Sequence, residues 1–374
     1  MSSTHEQDSH SYRRAGVDYE VLDAGKRLAV KAALETSAHI RQRGGSVNDA
    51  SRGESAFVFQ AGDQTLAFVL EGLGTKSIIA RVVAEEGRNH FDAVAYDTVA
   101  AIINDLCCVG ARPLVLNAYF ATGKPDWFNH DQWYEQLIKG WFSACVDAGC
   151  TWGGGESPSL PELVDGHEIE LAGSAVGVIP DGREPILGQD LAAGDEIVLI
   201  QSSGLHANGS SLARMIAGEL HAGYATALPS GTLFGEALLR RSHMYSRLVD
   251  SILDAGLPVT YMSHLTGHGF LKLMRPMRDL TYRIKRLLPA PEVLGFVVEK
   301  ARMTPRTAYS TFNMGHGFAI YCREGRGEKV VDAAAEKGLQ AIVAGCVESG
   351  ARRVVIEPLD IEFTGDELRL GPDQ

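Results

Sequence analysis

The strongest constraint on the fold is an apolar strand that ends in a glycine turn. Residues 65–70 (Thr-Leu-Ala-Phe-Val-Leu) run directly into residues 71–76 (Glu-Gly-Leu-Gly-Thr-Lys). A glycine turn after a strand exposes backbone N–H groups, an acid there can hold a metal, and a lysine one turn on can neutralise a phosphate. The segment therefore predicts a nucleotide site, although its spacing differs from that of the common phosphate loop. A plain turn is the alternative interpretation.

Length and charge limit the number of domains and the kinds of partner. The chain has 374 residues, 45% of them hydrophobic, which is enough for two cores of ordinary size. Glycine and proline between residues 180 and 195 mark the boundary, so we expect domains at 1–182 and 183–374. The net charge of −12 argues against a nucleic-acid partner, because a phosphate backbone needs a basic surface.

Localisation and redox state follow from the apolar segments and the cysteines. Residues 1–10 are polar, and nowhere do 18 uninterrupted apolar residues occur. We therefore expect a soluble, cytoplasmic protein with no membrane partner. The six cysteines have neither metal nor disulfide spacing and are expected to be reduced, and Cys107, Cys108 and Cys145 lie in apolar helical patterns.

Strand and helix patterns alternate along the chain. Strands are predicted at 56–59, 65–70, 113–120, 168–179 and 196–201, and helices at 22–43, 92–109 and 131–148, after a loose arm at 1–20. This alternation predicts an α/β fold with layers of the α+β type, in which helices cover sheets.

An acidic helix face is the second candidate for ligand chemistry. Asp97 and Asp105 share one face of the helix predicted at 92–109, about 12 Å apart, with Asn104 beside the second acid. This spacing suits an elongated polyphosphate site. A solvated face is the alternative, although no lysine or arginine interrupts it.

Three glycine-rich segments could also approach a ligand. Glycines 153–155 precede Glu156, and residues 202–209 lie between a strand and a helix predicted at Ser211, where N–H groups favour an anion. His264 and His268 have metal spacing, but neighbouring glycines disfavour a helix there. Plain loops are the alternative for these segments.

Taken together, these segments resemble the aminoimidazole ribonucleotide synthetase family, also called phosphoribosylformylglycinamidine cyclo-ligases. The matching pieces occur in family order: Ala-Gly-Val-Asp at 15–18, Gly-Leu-Gly-Thr-Lys at 72–76, Asp97, Asn-Asp-Leu at 104–106, Tyr-Phe-Ala-Thr-Gly-Lys at 119–124, Gly-Gly-Glu at 154–156, Ser-Ser-Gly-Leu-His-Ala-Asn-Gly at 202–209, His-Leu-Thr-Gly at 264–267 and Thr-Phe-Asn-Met-Gly at 311–315. Several motifs in one order are far more specific than any single one.

The resemblance implies a two-domain synthetase with an N-terminal ATP-binding and dimerising sheet domain and a C-terminal α/β domain. It implies a homodimer that uses ATP and Mg²⁺ to activate an amide oxygen of a small nucleotide substrate, so that a nitrogen closes the imidazole ring. The implied site residues fall into four groups: catalytic Lys76, Asp105 and His264; ATP-binding Gly72, Gly74, Thr75, Lys76, Asp97, Asn104, Gly155 and Glu156; substrate-binding Ser203, Gly204, His206, Asn208, Thr266 and Gly267; and metal-binding Glu71, Asp105 and Glu156.

Several positions differ from the family pattern. The family acid at 71 is Glu instead of Asp, and other family residues are replaced by Ala118, Ser159, His268, Lys272 and Leu273. These differences predict poor turnover of formylglycinamidine ribonucleotide and suggest a diverged paralogue. Two further hypotheses are an ATP-using relative with another substrate, such as a kinase, and a non-catalytic nucleotide-binding relative.

Overall fold

Two sheets, each with its own helices, follow one another along the chain. The computed structural model describes residues 19–368. The first sheet contains β1 (Ser46–Val47), β2 (Phe57–Ala61), β3 (Gln64–Gly72), β4 (Arg112–Thr122), β5 (Thr151–Glu156) and β6 (Ile169–Val178). The second contains β7 (Glu196–Gln201), β8 (Val259–His264), β9 (Leu280–Ile284), β10 (His316–Cys322), β11 (Ala341–Ser349), β12 (Arg353–Ile356) and β13 (Ile361–Thr364).

Helices connect and cover these strands. In the first half they are α1 (Tyr19–Glu35), α2 (Ala38–Arg41), α3 (Lys76–Glu85), α4 (Phe91–Cys107) and α5 (Asp131–Ala148). In the second half they are α6 (Ser210–Glu219), α7 (Phe234–Leu238), α8 (Ser246–Asp254), α9 (Glu292–Lys300), α10 (Pro305–Thr311) and α11 (Gly327–Glu336). This arrangement confirms the predicted α/β architecture in two parts.

The N-terminal sheet has strand order β1-β2-β3-β6-β4-β5 and is antiparallel except between β4 and β5. Strand β6 alternates buried and half-buried residues along its length, as a strand with one covered face does. Helix α4 packs on that covered face, and Ile102, Ile103 and Leu106 are fully buried there. The opposite face is more exposed: Phe68 and Leu70 on β3 retain 40% and 68% of their accessible surface.

The C-terminal sheet has strand order β13-β12-β9-β11-β7-β10-β8 and contains one parallel pair, β12 with β9. All seven residues of β10 are buried, because β10 lies between β7 and β8. The carboxyl end of β8 carries His264, which places this residue at the margin of the sheet facing the N-terminal part.

Most of the predicted elements are present. The strands predicted at 65–70 and 113–120 and the helix at 92–109 occur within two residues of their predicted ends, and the helix at 131–148 and the strand at 196–201 have the predicted bounds. The helix predicted at 22–43 ends at Glu35, where the Thr36 hydroxyl donates to the Ala33 carbonyl. Residues 1–18 of the predicted arm lie outside the described residues.

Two local features were not predicted from the sequence. Helix α3 was not predicted, because its β-branched residues Ile78, Ile79, Val82 and Val83 weaken a helical pattern. The glycines at 153–155 belong to strand β5, so the alternative of a plain loop does not hold there. Gly155 is required there, because a Cβ atom at this position would lie 2.2 Å from the Ala118 carbonyl oxygen of β4.

All six cysteines are free thiols, and four of them are buried. Between residues 19 and 368, we find no helix with the length and apolar character needed to cross a membrane.

Candidate functional site

A buried ion pair links the beginning of α3 to α4. The Lys76 ammonium donates to Asp97 Oδ2 at 2.5 Å and to the His206 carbonyl at 2.7 Å. Asp97 Oδ1 accepts from the Ser242 backbone N–H at 2.6 Å. Neither charged side chain has any exposed surface. The pair therefore joins two helices of the N-terminal part to two loops of the C-terminal part.

The second acid of α4 forms a different cluster. Nδ1 of His264 lies 2.6 Å from Asp105 Oδ1, and because a carboxylate can only accept, the histidine N–H donates. Burial raises the pKa of the Asp105 carboxyl, but the His264 hydrogen bond and the charges of His264, Lys272 and Arg275 outweigh it. The net result is a pKa below the usual value. Asp105 is thus held as a carboxylate.

Asp97 and Asp105 therefore do not form the open acidic face considered from the sequence. Each already has a protein partner on the C-terminal side: Ser242 for Asp97 and His264 for Asp105. Asn104 is engaged as well: its side-chain amide donates to the His243 carbonyl at 2.9 Å and accepts from the Tyr245 N–H at 2.9 Å. In this structure Asn104 positions the 243–245 segment.

Lys272 lies in the Asp105 cluster. It belongs to a 3₁₀ turn, Gly269–Met274, that follows β8, and it is 8% exposed. Its ammonium donates to Thr266 Oγ1, and its carbonyl accepts from Ser263 Oγ at 3.1 Å. Burial lowers the pKa of Lys272, while the negative charges of Asp105 and Glu71 act in the opposite direction. Both acids therefore favour the charged form of this lysine.

The loop at 202–209 was predicted to contact the substrate, and the structure holds it firmly. Ser203 Oγ donates to the Arg241 carbonyl at 2.6 Å, and the Gly204 carbonyl accepts from the Asn313 side-chain amide at 3.0 Å. Asn313 Oδ1 also accepts from Ser202 Oγ at 2.8 Å. Asn208 is half-buried at the end of the loop. Sequence reasoning assigned no role to Asn313, although its motif was part of the resemblance.

His206 is the strained member of this loop. Its φ of +59° is unusual for a residue with a side chain, and Nε2 accepts from the Ser203 N–H at 3.1 Å. Burial lowers the imidazole pKa well below its usual value, and the positive charges of His243, His264 and Lys76 add to this effect. Nδ1 is buried and has no hydrogen-bond partner among residues 19–368. His206 is therefore a neutral imidazole.

Two helix N-termini meet beside the glycine turn. Gly74 has φ +68°, and α3 begins two residues later at Lys76. The Thr75 hydroxyl lies 3.1 Å from the Ser211 hydroxyl in the first turn of α6. The buried Ser210 hydroxyl beside it has no partner within the described part of the chain. Two positive dipole ends at one place favour an anion.

Glu170 lies on β6 beside this turn and was missed by the sequence analysis. Its carboxylate accepts from the Gly74 N–H, and one of its oxygens lies 3.4 Å from the place of a Cβ atom at Gly72. Burial raises the Glu170 pKa, and the Gly74 bond opposes this. A signal was present, because Glu170 is an acid within an otherwise apolar strand.

The Gly155-Glu156 segment is not brought to the glycine turn within one chain. Glu156 is exposed on edge strand β5 and pairs with Tyr119 of β4. Tyr119 pairs with Ala172 of β6, which pairs with Gly72 of β3. Three strand spacings of about 4.8 Å therefore separate Glu156 from Gly72, roughly 14 Å in total. Within the described residues, no three His, Cys, Asp or Glu side chains form a metal-binding group.

The substrate turn predicted at Thr266 and Gly267 lies next to the Asp105 cluster. Thr266 is half-buried and bonded to Lys272, while Gly267 is buried. His268 adopts φ +68° and forms an isolated β-bridge with Thr266 through the backbone. The turn thus brings a hydroxyl and an ammonium close to Asp105 and His264.

Comparison with known proteins defines the class. The N-terminal domain model of the AIR synthase related proteins matches residues 53–179, and the C-terminal domain model matches residues 192–357. These matches cover well over half of the chain and follow its two sheets. The chain therefore belongs to the AIR synthase related family.

Curated relatives extend along nearly the whole chain. A protein of Methanobrevibacter smithii named phosphoribosylformylglycinamidine cyclo-ligase is 30% identical, over 86% of this chain and 90% of its own length. Proteins of the same name from Methanococcus vannielii and Methanocaldococcus jannaschii are 30% and 32% identical, over 96% and 90% of this chain and 99% and 92% of their own lengths. The resemblance inferred from the motifs is confirmed.

Solved structures confirm the fold. The hydrogenase maturation protein HypE in complex with ATP superposes with a TM-score of 0.59 at 17% identity, covering 82% of this chain and 86% of its own. ThiL complexed with AMPPCP and TMP gives 0.57 at 14% identity, covering 83% and 90%. At these identities the likeness describes the fold alone.

Proposed function

We propose that this protein is an ATP-dependent cyclo-ligase that closes the ring of phosphoribosylformylglycinamidine by forming a carbon–nitrogen bond. The observation that carries the proposal is the match to cyclo-ligases over 86–96% of the chain, across both domains. The Asp105–His264 bond adds support, because it joins residues from both domain models at one buried place.

The glycine turn fits the phosphates of ATP. Helices α3 and α6 are each ten residues long, and their first turns meet through Thr75 and Ser211. Backbone N–H groups and the Ser210 hydroxyl would bind phosphate oxygens there. When bound, ATP would supply the phosphoryl group that converts an amide oxygen into a leaving group.

Magnesium fits this site as a nucleotide-bound ion. Mg²⁺ is commonly held by one or two carboxylates together with phosphate oxygens, so three clustered acids are not required. Asp105 and Glu71 would supply the carboxylates of one chain. Glu156 lies on another strand and would act at a separate position or from a second copy.

The Asp105 cluster would orient the substrate and manage protons. His264 is fixed by its Nδ1 bond to Asp105, which leaves the Nε2 side of the ring available for a substrate proton. Thr266, two residues further along the chain, offers a hydroxyl that accepts from Lys272. His206, which is held neutral, provides a second imidazole close enough to interact electrostatically with His264. These residues position the reacting groups in a largely water-free setting.

The direct test is incubation of the pure protein with ATP, Mg²⁺ and formylglycinamidine ribonucleotide. Substrate-dependent formation of ADP and of the aminoimidazole product supports the proposal. ADP formed only with another phosphate acceptor would indicate a kinase. Because Ala118, Ser159, His268, Lys272 and Leu273 replace the family residues, we expect kcat/KM below about 10⁴ M⁻¹s⁻¹.

We further propose a homodimer formed through the N-terminal sheet. The exposed face of this sheet presents Phe68 and Leu70 of β3 and Val115 of β4, each at least 40% exposed. Apolar side chains in such a row favour contact with a second copy. Sedimentation should give about twice the chain mass of 40.3 kDa.

A pair of variants tests which surface is used. Leu70→Asp places a charge on the exposed sheet face and should shift the protein to monomer. Met277→Asp makes the same kind of change at a 59% exposed residue of the C-terminal part and should leave the dimer intact. A wild-type monomer at micromolar concentration contradicts the proposal.

A further inference from the structure

The end of helix α5 brings two cysteines together. The Cys150 N–H donates to the Cys145 carbonyl at 3.0 Å, and the Gly149 N–H donates to the Val146 carbonyl at 3.2 Å. Gly149 adopts φ +70°. These two bonds and the left-handed glycine define a Schellman motif, in which the side chains at the two ends of the turn frequently contact each other. Here both of these side chains are thiols, and they are hydrogen-bonded to each other.

The backbone of this motif allows a bond between the two sulfur atoms. Because one hydrogen bond joins the Cys145 carbonyl to the Cys150 N–H, standard backbone dimensions keep the two Cα atoms within about 7 Å, the distance beyond which a disulfide cannot close. The contact between the thiols shows that the two side chains point toward each other. Both cysteines are free thiols in the structure. The pair is therefore a reduced dithiol that can close without backbone movement.

The two thiols differ in exposure and in acidity. Cys145 is 4% exposed, whereas Cys150, directly before β5, is half-buried. The hydrogen bond from Cys145 lowers the pKa of Cys150 against the effect of burial, and the same bond together with burial raises the pKa of Cys145. The Arg247 guanidinium donates to the Val146 and Asp147 carbonyls, which offsets the negative helix end that disfavours a thiolate. Cys150 thus has the features of a reactive thiol, and Cys145 those of a resolving thiol.

We propose that Cys150 and Cys145 are a peroxide-sensitive modification site, at which hydrogen peroxide converts the two thiols into an intramolecular disulfide. The Cys150 thiolate attacks one peroxide oxygen, so that an S–O bond forms and the O–O bond breaks with release of hydroxide. Cys145 then attacks the sulfenic sulfur: the S–S bond forms, the S–O bond breaks, and the hydroxyl leaves as water with the Cys145 proton. Two thiols and one peroxide molecule give one disulfide and two water molecules.

The disulfide joins the end of α5 to β5, the edge strand of the N-terminal sheet. Neither cysteine belongs to the proposed nucleotide or substrate site. The test therefore uses the free protein, and a failure to turn over formylglycinamidine ribonucleotide would leave its result unaffected.

The reduced full-length chain is treated with a small molar excess of hydrogen peroxide and then digested with trypsin. Residues 140–183 are released as one peptide, whose two cysteines are Cys145 and Cys150. This peptide should lose the mass of two hydrogen atoms, and the thiols titrated in the denatured protein should fall by two from six. Dithiothreitol should reverse both changes.

Cys346 is the matched control. It is also half-buried, but its sulfur lies 3.9 Å from Glu348 Oε1, and a neighbouring carboxylate disfavours a thiolate. Cys346 should therefore stay reduced in the wild type, and Cys346→Ser should form the disulfide between residues 145 and 150 at the wild-type rate.

Two variants separate the roles of the paired thiols. Cys145→Ser removes the resolving thiol, so the disulfide should be lost and dimedone should trap a sulfenic acid at Cys150. Cys150→Ser should leave the buried Cys145 reduced. If Cys145→Ser is recovered unfolded, Cys145→Ala provides the same measurement without a buried hydroxyl.

A wild-type peptide that keeps both thiols after peroxide treatment would overturn the inference. A disulfide between two chains would also overturn it, as would one between Cys150 and Cys107, a buried thiol that interacts electrostatically with Cys150. Oxidation of Cys150 to a sulfinic acid without a disulfide would show that Cys145 does not resolve the sulfenic acid, which equally contradicts the proposal.

Discussion

The two acids of α4 lie two helical turns apart and have different surroundings. Asp97 is sealed: both of its oxygens are bonded to protein groups, and its side chain has no exposed surface. Asp105 keeps 9% of its side-chain surface and has a histidine partner and a nearby lysine. Two aspartates on one helix face can therefore have different roles. Asp97 belongs to a structural ion pair, whereas Asp105 belongs to a pair with His264 that is suited to ligand chemistry.

The largest expected effect concerns the sealed pair. Lys76→Met leaves Asp97 buried without its cation, and breaking a buried pair in this way costs about 3–5 kcal/mol. Denaturant unfolding at neutral pH measures the free energy of unfolding. The double variant Lys76→Met/Asp97→Leu removes both charges and should recover a large part of the loss. A single-variant loss under about 1 kcal/mol would show that Asp97 is not sealed.

The next effect concerns the second acid. Asp105→Ala removes an anionic ligand, so the thermal stabilisation produced by Mg²⁺ with ATP should fall by about 1–3 kcal/mol at saturating nucleotide. Asp92→Ala, on the same helix but paired with Arg241 at its first turn, is the matched control and should keep the shift. An unchanged shift in Asp105→Ala would remove Asp105 from the proposed metal site.

These two clusters also show how far the sequence could be interpreted. The i, i+8 spacing correctly placed both acids on one helix, because apolar residues recur along α4 at helical intervals. It could not reveal that Lys76 pairs with Asp97, since Lys76 begins a helix that the β-branched residues of α3 concealed. Lys272 stands out in the sequence only as a departure from the family pattern, because its electrostatic effect on Asp105 depends on packing between the two parts of the chain.

The glycine-rich segments show the same limit. Glycine supplies either positive φ or room for close backbone approach, and sequence alone does not separate the two. Gly74 has positive φ in a turn, whereas Gly155 packs against the β4 backbone. The predicted ATP-binding role of Gly155 and Glu156 therefore stays a prediction, because nothing in a single chain brings them to Gly74.

The pH dependence of the free energy of unfolding should distinguish His206, which lies beside the Lys76–Asp97 pair, from Asp105. Because the folded-state pKa of His206 is lowered, the unfolded chain takes up its proton first, and stability is lost as pH falls below about 6.5. At pH 5 this loss amounts to at most about 2 kcal/mol. The lowered pKa of Asp105 gives a loss only at more acidic pH, below about 4.

His206→Asn isolates this contribution. Asparagine tolerates the positive φ and does not titrate in this range. The variant should lose less stability than the wild type between pH 7 and pH 5, measured by denaturant unfolding at each pH. An identical pH dependence in the two proteins would show that His206 is not the group whose protonation is coupled to unfolding.

The smallest expected effect lies at the junction of α3 and α6. The Thr75 and Ser211 hydroxyls are partly buried and 3.1 Å apart, so their hydrogen bond should contribute about 0.5–1.5 kcal/mol. A double-mutant cycle of Thr75→Val and Ser211→Ala measures their coupling in the free protein and again with Mg²⁺ and ATP. If phosphate binds between the two helix N-termini, each hydroxyl gains a second partner, and both single variants weaken nucleotide binding. If the Lys76–Asp97 pair alone joins the two parts here, the coupling energy between Thr75 and Ser211 is zero and nucleotide affinity is unchanged.

The cycle therefore shows whether the region around the Lys76–Asp97 pair only holds the two domains together or also contributes to the nucleotide site.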